Sequence, residues 1–381
     1  MVAKTLFGLE DLLATELREL GAGDIRVMNR SVEFAGDRRV LYAANLHCRT
    51  AIRILRPIRT FRCVDGDQLY RQVRRIDWMG QLDSSMTMAV DAVVSHSGID
   101  NSMFAAQRVK DAVVDQLRER TRRRPSVDVV HPDLRINLHL HENNATLALD
   151  TSGDSLHRRG YRTQGGKAPI NEVLAAGIIK LSGWDMESPL IDGMCGSGTF
   201  VIEAALMARR IAPGLLRSRF GFQRMKDFDK SLFAEVVAEA RGLVRSELPG
   251  RIVGSDRDMT VLKEARANAD RAGVARDIVF EQRDFAAQNP PPGSGVLIMN
   301  PPYGERLSVA DIGALYRMIG DTLKSKYDGY TAFIFTGSSA AAKSVGLRTS
   351  RRITLYNGPL ESRLLRYEMY QGSRKQKFSS D

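Results

Sequence analysis

Residues 190–200 read Leu-Ile-Asp-Gly-Met-Cys-Gly-Ser-Gly-Thr-Phe, and this stretch decides the fold of the second half of the chain. An apolar strand ends at Asp192, three glycines (Gly193, Gly196, Gly198) follow within six residues, and a helix opens at Thr199. Glycines at a strand-to-helix turn let a ligand approach the backbone, and the helix N-terminus supplies amides. The loop lacks Gly-Lys-Ser/Thr and the Gly-x-Gly-x-x-Gly spacing, which argues against a Walker-type phosphate loop and a nicotinamide dinucleotide fingerprint. Around it the pattern from Ile170 alternates helix and strand, the signature of a doubly wound, mostly parallel α/β sheet. Strands are predicted at Pro189–Asp192, Arg251–Asp256, Ile278–Arg283, Gly295–Met299 and Tyr330–Thr336, with a closing pair near Arg351–Tyr356 and Leu364–Gln371. Helices are predicted at Ile170–Leu181, Thr199–Ala208, Met259–Ala272 and Ile312–Lys326, and residues 209–249 form a long insertion.

Three more strand ends carry polar residues to the same edge. GSDRD places Asp256, followed by Arg257, where an acid can accept both ribose hydroxyls of a nucleoside. EQRDF places Asp284 before Phe285, where a carboxylate can accept from a base amine. LIMNPPYGERL places Asn300-Pro301-Pro302-Tyr303 after the fourth strand. That turn is rigid, offers a side-chain amide and unencumbered carbonyls, and ends in an aromatic face, the parts needed to hold and stack a base bearing an exocyclic amine. A solvated turn aspartate explains any one acid, but not several at one edge.

These segments resemble the class I S-adenosylmethionine-dependent amino-methyltransferases. The resemblance implies a cofactor loop at Asp192, Gly193, Cys195, Gly196, Ser197, Gly198 and Thr199, a ribose acid at Asp256, and an adenine-contacting acid at Asp284. It implies a catalytic Asn-Pro-Pro-Tyr at Asn300–Tyr303, with Asn300 also near the cofactor. Over the whole chain, GYRTQGGKAPINEVLAAGIIKLSGW (160–184), DGMCGSGTFVIEAAL (192–206) and MNPPYGERL (299–307) resemble bacterial THUMP-domain 23S rRNA guanine-N2 methyltransferases. That family implies a Rossmann-like class I methyltransferase domain at 166–381, with a seven-stranded sheet, behind a ferredoxin-like segment at 1–55 and a THUMP RNA-binding module at 56–155. Gly193 stands where many relatives carry proline, which predicts a more flexible loop.

The first half fits such modules. Residues 5–20, with Leu6, Leu9, Leu13, Leu17 and Leu20 at helical spacing, predict an amphipathic helix. Alternating runs at Ile25–Phe34 and Thr50–Pro57 flank a short helix at Val40–Leu46. A second α+β module follows, with helices at Leu69–Ile76 and Asn101–Arg120 and strands at Met86–Val94, Val127–Val130, Leu134–His141 and Ala145–Asp150. Asn143-Asn144 marks a hairpin between the last two.

Of the 381 residues, 56 are Lys or Arg and 45 are Asp or Glu, a formal charge of +11 shared by both halves. The charge predicts an anionic partner, with nucleic acid leading, and the family resemblance implies that the partner is RNA, most specifically 23S rRNA. Arg118, Arg122, Arg123 and Arg124 cluster at a helix end, where they suit either the helix dipole or RNA phosphates. Arg158, Arg159, Arg162 and Lys167 form a second cluster in the linker. Cys48, Cys63 and Cys195 are too far apart in sequence for a metal knuckle or disulfide framework, so reduced thiols and no bound metal are expected. No apolar run has membrane-spanning length, and the acidic start is unlike a signal peptide, which predicts a cytoplasmic protein. Transfer to tRNA guanine N2 or adenine N6, and an RNA-binding protein with a degenerate Rossmann domain, are the competing readings. No histidine is assigned to catalysis, since all six precede residue 158.

Overall fold

The computed structural model describes residues 1–162, 170–302 and 309–370. Tyr303 and Lys167 lie outside the described residues. Two compact units divide the chain: residues 1–5, 13–158 and 217–239 make the first, and residues 6–12, 159–216 and 240–381 the second.

The elements of the first unit begin with β1 (Val2–Thr5), α1 (Glu10–Glu19), β2 (Gly23–Met28), β3 (Ser31–Ala35), α2 (Arg38–His47) and β4 (Ala51–Arg62). They continue with α3 (Gly66–Arg74), β5 (Thr87–Ser95), α4 (Ser102–Thr121), β6 (Ser126–Val127), β7 (Leu134–His141) and β8 (Asn144–Asp150). The helix expected over residues 5–20 starts only at Glu10. Val2–Thr5 is instead a strand between β3 and β4, and Gly8, at φ +85°, separates strand from helix. The run Ile25–Phe34 is a hairpin turned at Arg30, whose φ is +54°. The expected strand Val127–Val130 stops at Val127, because the Asp128 carboxylate accepts from the Val130 and His131 amides and closes a turn.

All eight strands form one sheet, in the order β2-β3-β1-β4-β8-β7-β5-β6. The two α+β modules read from the sequence therefore share a sheet, and β4 is the reason. Its 12 residues pair with β1 through Ala51–Leu55 and with β8 through Leu55–Arg62. The register with β8 shifts after Pro57, which has no amide to donate to the ladder. Residues 217–239 of the long insertion also belong to this unit. Phe222, Phe228 and Phe233 surround Tyr42 there, with the Tyr42 and Phe222 rings 4.5 Å apart and Phe220 stacked on Phe222, and the Tyr42 hydroxyl accepts from the Asp229 amide.

The second unit is a layered α/β structure. It holds α5 (Glu172–Ser182), β9 (Leu190–Asp192), α6 (Thr199–Ala208), β10 (Ile252–Asp256), α8 (Met259–Arg271), β11 (Ile278–Gln282) and β12 (Gly295–Met299). The chain ends with α9 (Val309–Lys326), β13 (Tyr330–Thr336), α10 (Ser339–Ser344), β14 (Arg351–Asn357) and β15 (Leu360–Glu368); α7 (Lys230–Gly242) lies in the insertion. The expected seven-stranded sheet is present, ordered β11-β10-β9-β12-β13-β15-β14, with β9 to β13 parallel and β15 antiparallel to both neighbours. The registers align Asp192 with Gly254 and Asp256 with Gln282, so β9, β10 and β11 finish at one edge. Burial of Ile191, Leu297, Met299 and Ile334 on the sheet against Tyr316, Ile319 and Leu323 of α9 anchors that edge. Among the described residues no helix is long and apolar enough to cross a membrane.

Candidate active site

The carboxyl ends of β9, β10 and β12 and the turn after β11 surround a cavity of about 810 Å³, and most of the residues singled out in the sequence line it. Asp192, Gly193, Cys195, Gly196, Ser197 and Thr199 come from the glycine loop, Asp256 and Arg257 from β10 and the residue after it, Asp284 and Phe285 from the turn after β11, and Asn300 and Pro302 from the turn after β12. Gly198 and Pro301 are not among its lining residues.

The loop is shaped by close approach rather than by looseness. A Cβ on Gly193 would stand 2.4 Å from Phe285 Cδ2, so glycine is what lets the Phe285 ring pack beneath the loop. The expected extra flexibility at Gly193 is therefore replaced by tight packing. Phe285 is 2% exposed and its ring lies 5.5 Å from that of Tyr327, which makes it a core support under the cavity. The Cys195 amide donates to the Ser255 carbonyl and the Gly196 amide to Asp256 Oδ2, fastening the loop to β10. Gly198, at φ +84°, turns the chain into α6 with no side-chain cap, which leaves first-turn amides of that helix available to a ligand.

Asp256 is held on both oxygens by the Gly196 and Asp258 amides, each at 3.0 Å, with lone pairs left over for hydroxyl donors. Asp284 is exposed and accepts from the Ala286 amide, which fixes its carboxylate at the cavity edge. Burial raises Asp192 to about 8, opposed by the Met194 amide and reinforced by the Asp256 charge. Burial likewise pushes the Cys195 thiol well above its ordinary range. Most decisive is Asn300. Its Oδ1 is buried and has no hydrogen-bond partner among the described residues, and Asn300 is one of the residues that line the cavity. An orphan acceptor of this kind is costly unless a ligand supplies the missing donor.

Sequence reasoning missed several walls of the cavity, among them Phe200, Arg283 and the α9 residues Leu315 and Met318. The helical periodicity after NPPYGERL was the signal for α9, but periodicity does not say which turn faces a ligand. The linker cations divide. Arg158 is exposed, as are Arg118, Arg122, Arg123 and Arg124. Arg159 is 1% exposed and faces Glu203, itself fully buried, at 3.4 Å, so it is not available to RNA. Arg162 pairs with Glu172 at 3.0 Å and donates to the Thr199 hydroxyl, bracing the start of α6 instead of standing free.

Residues 159–366 match the family of the RMKL-like methyltransferase domain. The chain belongs to this methyltransferase family. Residues 63–150 match the THUMP domain and residues 1–55 the RlmL ferredoxin-like domain. Among relatives, a putative RNA methyltransferase of Synechocystis is 42% identical, with 95% of each chain covered. A ribosomal RNA large subunit methyltransferase K/L of Syntrophotalea carbinolica is 43% identical over 95% of this chain, which spans about half (52%) of that relative. Among solved structures, a putative methyltransferase in complex with S-adenosylhomocysteine is 31% identical, with 98% of both chains covered and a TM-score of 0.88. Another, titled a predicted N6-adenine-specific DNA methylase from Listeria monocytogenes, is 30% identical over 97% of this chain and 95% of its own, with a TM-score of 0.86. The methyltransferase uses S-adenosylmethionine. Its cavity fits that donor: two edge acids for hydroxyl and amine donors, and uncapped amides at α6.

Proposed function

We propose that the protein methylates the exocyclic N2 of a guanine in RNA, with 23S rRNA as the substrate. The observation that carries this reading is the buried Oδ1 of Asn300, unpartnered among the described residues, on a residue that lines the cofactor cavity. An exocyclic amine brings the donor that this oxygen lacks. When bound, S-adenosylmethionine supplies the methyl group as a sulfonium electrophile. Asp256 holds ribose hydroxyls, Asp284 the base amine, and the loop from Asp192 to Thr199 the remainder of the donor.

Guanine N2 is a weak nucleophile, because its lone pair is conjugated into the ring. Asn300 Oδ1 and the Pro301 carbonyl accept its two hydrogens, which favours a pyramidal nitrogen with its lone pair aimed along the transfer line. Positioning of this kind supplies most of the acceleration. The proton lost after transfer leaves to water. Tyr303, outside the described residues, is assigned to stack on the extruded base. In this reading residues 1–55 and 56–155 form the RNA-docking region and 166–381 the catalytic domain, with Arg118, Arg122, Arg123, Arg124 and Arg158 toward phosphates.

Nucleoside mass spectrometry tests the assignment, using protein-free 23S rRNA and tRNA, each incubated with the enzyme and labelled donor. Label in N2-methylguanosine from 23S rRNA is the expected result. Label in N6-methyladenosine, or in tRNA alone, overturns it.

A further inference from the structure

A second cavity, of about 270 Å³, opens at the carboxyl end of β13 between α10 and the β14–β15 hairpin. We propose that it seats a backbone phosphate of the RNA strand next to the target base. This rests on the reading of the protein as an RNA methyltransferase and adds to it a place for the strand to run.

The sheet order sets the geometry. The donor-binding acids stand on or after β9, β10 and β11, Asn300 follows β12, and the new cavity begins at Thr336 on β13. Met299 pairs with Ile334, so Thr336 lies one strand over from the Asn300 turn, a spacing of roughly 4.8 Å between strands. Donor, extruded base and cavity therefore follow one another along a single sheet edge. A strand that delivers its base to Asn300 must carry its flanking phosphate away from the donor, toward β13.

The lining suits an anion. Thr336 is paired with Arg363 across β13 and β15, and Arg352 with Leu365 across β14 and β15, so both arginines project from the same face. Lys343 of α10 faces them across the cavity. Among the described residues neither Lys343 nor Arg352 has a carboxylate partner. Among the described residues Arg352 donates only its Nε, to the Thr349 hydroxyl, which keeps its terminal nitrogens for a ligand. Glu361 is the single acid among the described lining residues and reaches Arg363 at 3.9 Å, both side chains about half exposed. The lining therefore holds three cations and one anion, a surplus of +2, over a floor of buried Leu365 and Tyr367.

The test uses the full chain and the pair of substitutions Lys343→Gln and Arg363→Gln, both at exposed positions outside the methyl-transfer machinery. Fluorescence anisotropy with a short single-stranded oligoribonucleotide reads binding across a salt series. Without the phosphate contact, binding should weaken several-fold and the salt slope should flatten by about 0.7, for the one phosphate no longer neutralised. The KM for 23S rRNA should rise while kcat and the affinity for S-adenosylmethionine hold, and Lys343→Arg should restore most of the affinity. Unchanged RNA affinity and salt slope in the double variant overturns the proposal. So does inorganic phosphate stabilising the wild type but not the variant while both bind RNA equally, since the cavity would then be a free-anion site. The binding arm does not depend on turnover, so failure of the guanine-N2 reading shows separately, as label in another nucleoside.

Discussion

Among the described residues, Asn300 is a buried acceptor without a donor, and Asp192 a buried acid without a counter-charge. Each gives a measurement. Asn300→Ala should leave donor affinity intact and cut the single-turnover rate by at least about 100-fold, the scale of removing one oriented polar group from a transition state. Equal loss of donor binding would reassign Asn300 to the cofactor. For Asp192, the native side chain keeps its proton up to about pH 8, whereas the unfolded one loses it near its ordinary 3.8. Between those values the native state binds the extra proton, so stability falls as pH rises, by up to about 1.4 kcal/mol per unit. Asp192→Asn retains an oxygen to accept from the Met194 amide and removes that titration. Urea unfolding from pH 5 to 8 should therefore show the variant gaining on the wild type as pH rises. Parallel curves would refute the assignment.

At the scale of elements, the glycine loop works as a clamp between β9 and β10 with Phe285 wedged below it. Gly193→Ala should destabilise the protein by about 1 to 3 kcal/mol through overpacking and weaken donor binding; Phe285→Leu in the same chain should recover part of both. Additive effects, measured by thermal unfolding and calorimetry, would show that the two residues do not press on each other. The sequence alone revealed four polar strand ends on one edge, because parallel strands read as short apolar runs with polar residues just beyond them. It located α6 over Thr199–Ala208, β12 over Gly295–Met299 and β13 over Tyr330–Thr336 without error. It did not reveal that Gly193 answers to Phe285, 92 positions later, or that Arg159 is turned inward to Glu203. Both are facts of tertiary packing, and local composition reads a linker arginine as exposed. β1 was missed for a similar reason. Its four residues form a strand only because β3 and β4 lie on either side.

For the whole molecule, a cut at residue 165 is the natural guess from sequence, yet it follows neither unit. A 165–381 fragment would leave buried Glu203 without Arg159 and Tyr161, remove Leu9 from its place against Gly177, and strip Phe222 and Phe233 of Tyr42. Removing one member of a buried ion pair alone costs about 3 to 5 kcal/mol. The fragment should therefore show no cooperative thermal transition and no donor binding by calorimetry; a sharp transition with full binding would contradict this. Neutralising Arg122, Arg123 and Arg124 together, by contrast, should leave unfolding and donor affinity unchanged. It should flatten the salt dependence of RNA binding by about 0.7 to 0.9 for each phosphate no longer neutralised, and an unaltered slope would reduce the cluster to a solvated helix end. The interleaving of the units also sets a clock on synthesis. Residues 6–12 belong with partners as distant as Leu355, against which Gly8 rests. At roughly 5 to 20 residues per second, some 20 to 70 s separate the two on the ribosome. Throughout that interval β1 can find β3 and β4, while Leu9 waits for Gly177 and Gly8 for Leu355, so this segment is covered in stages as the second unit is made.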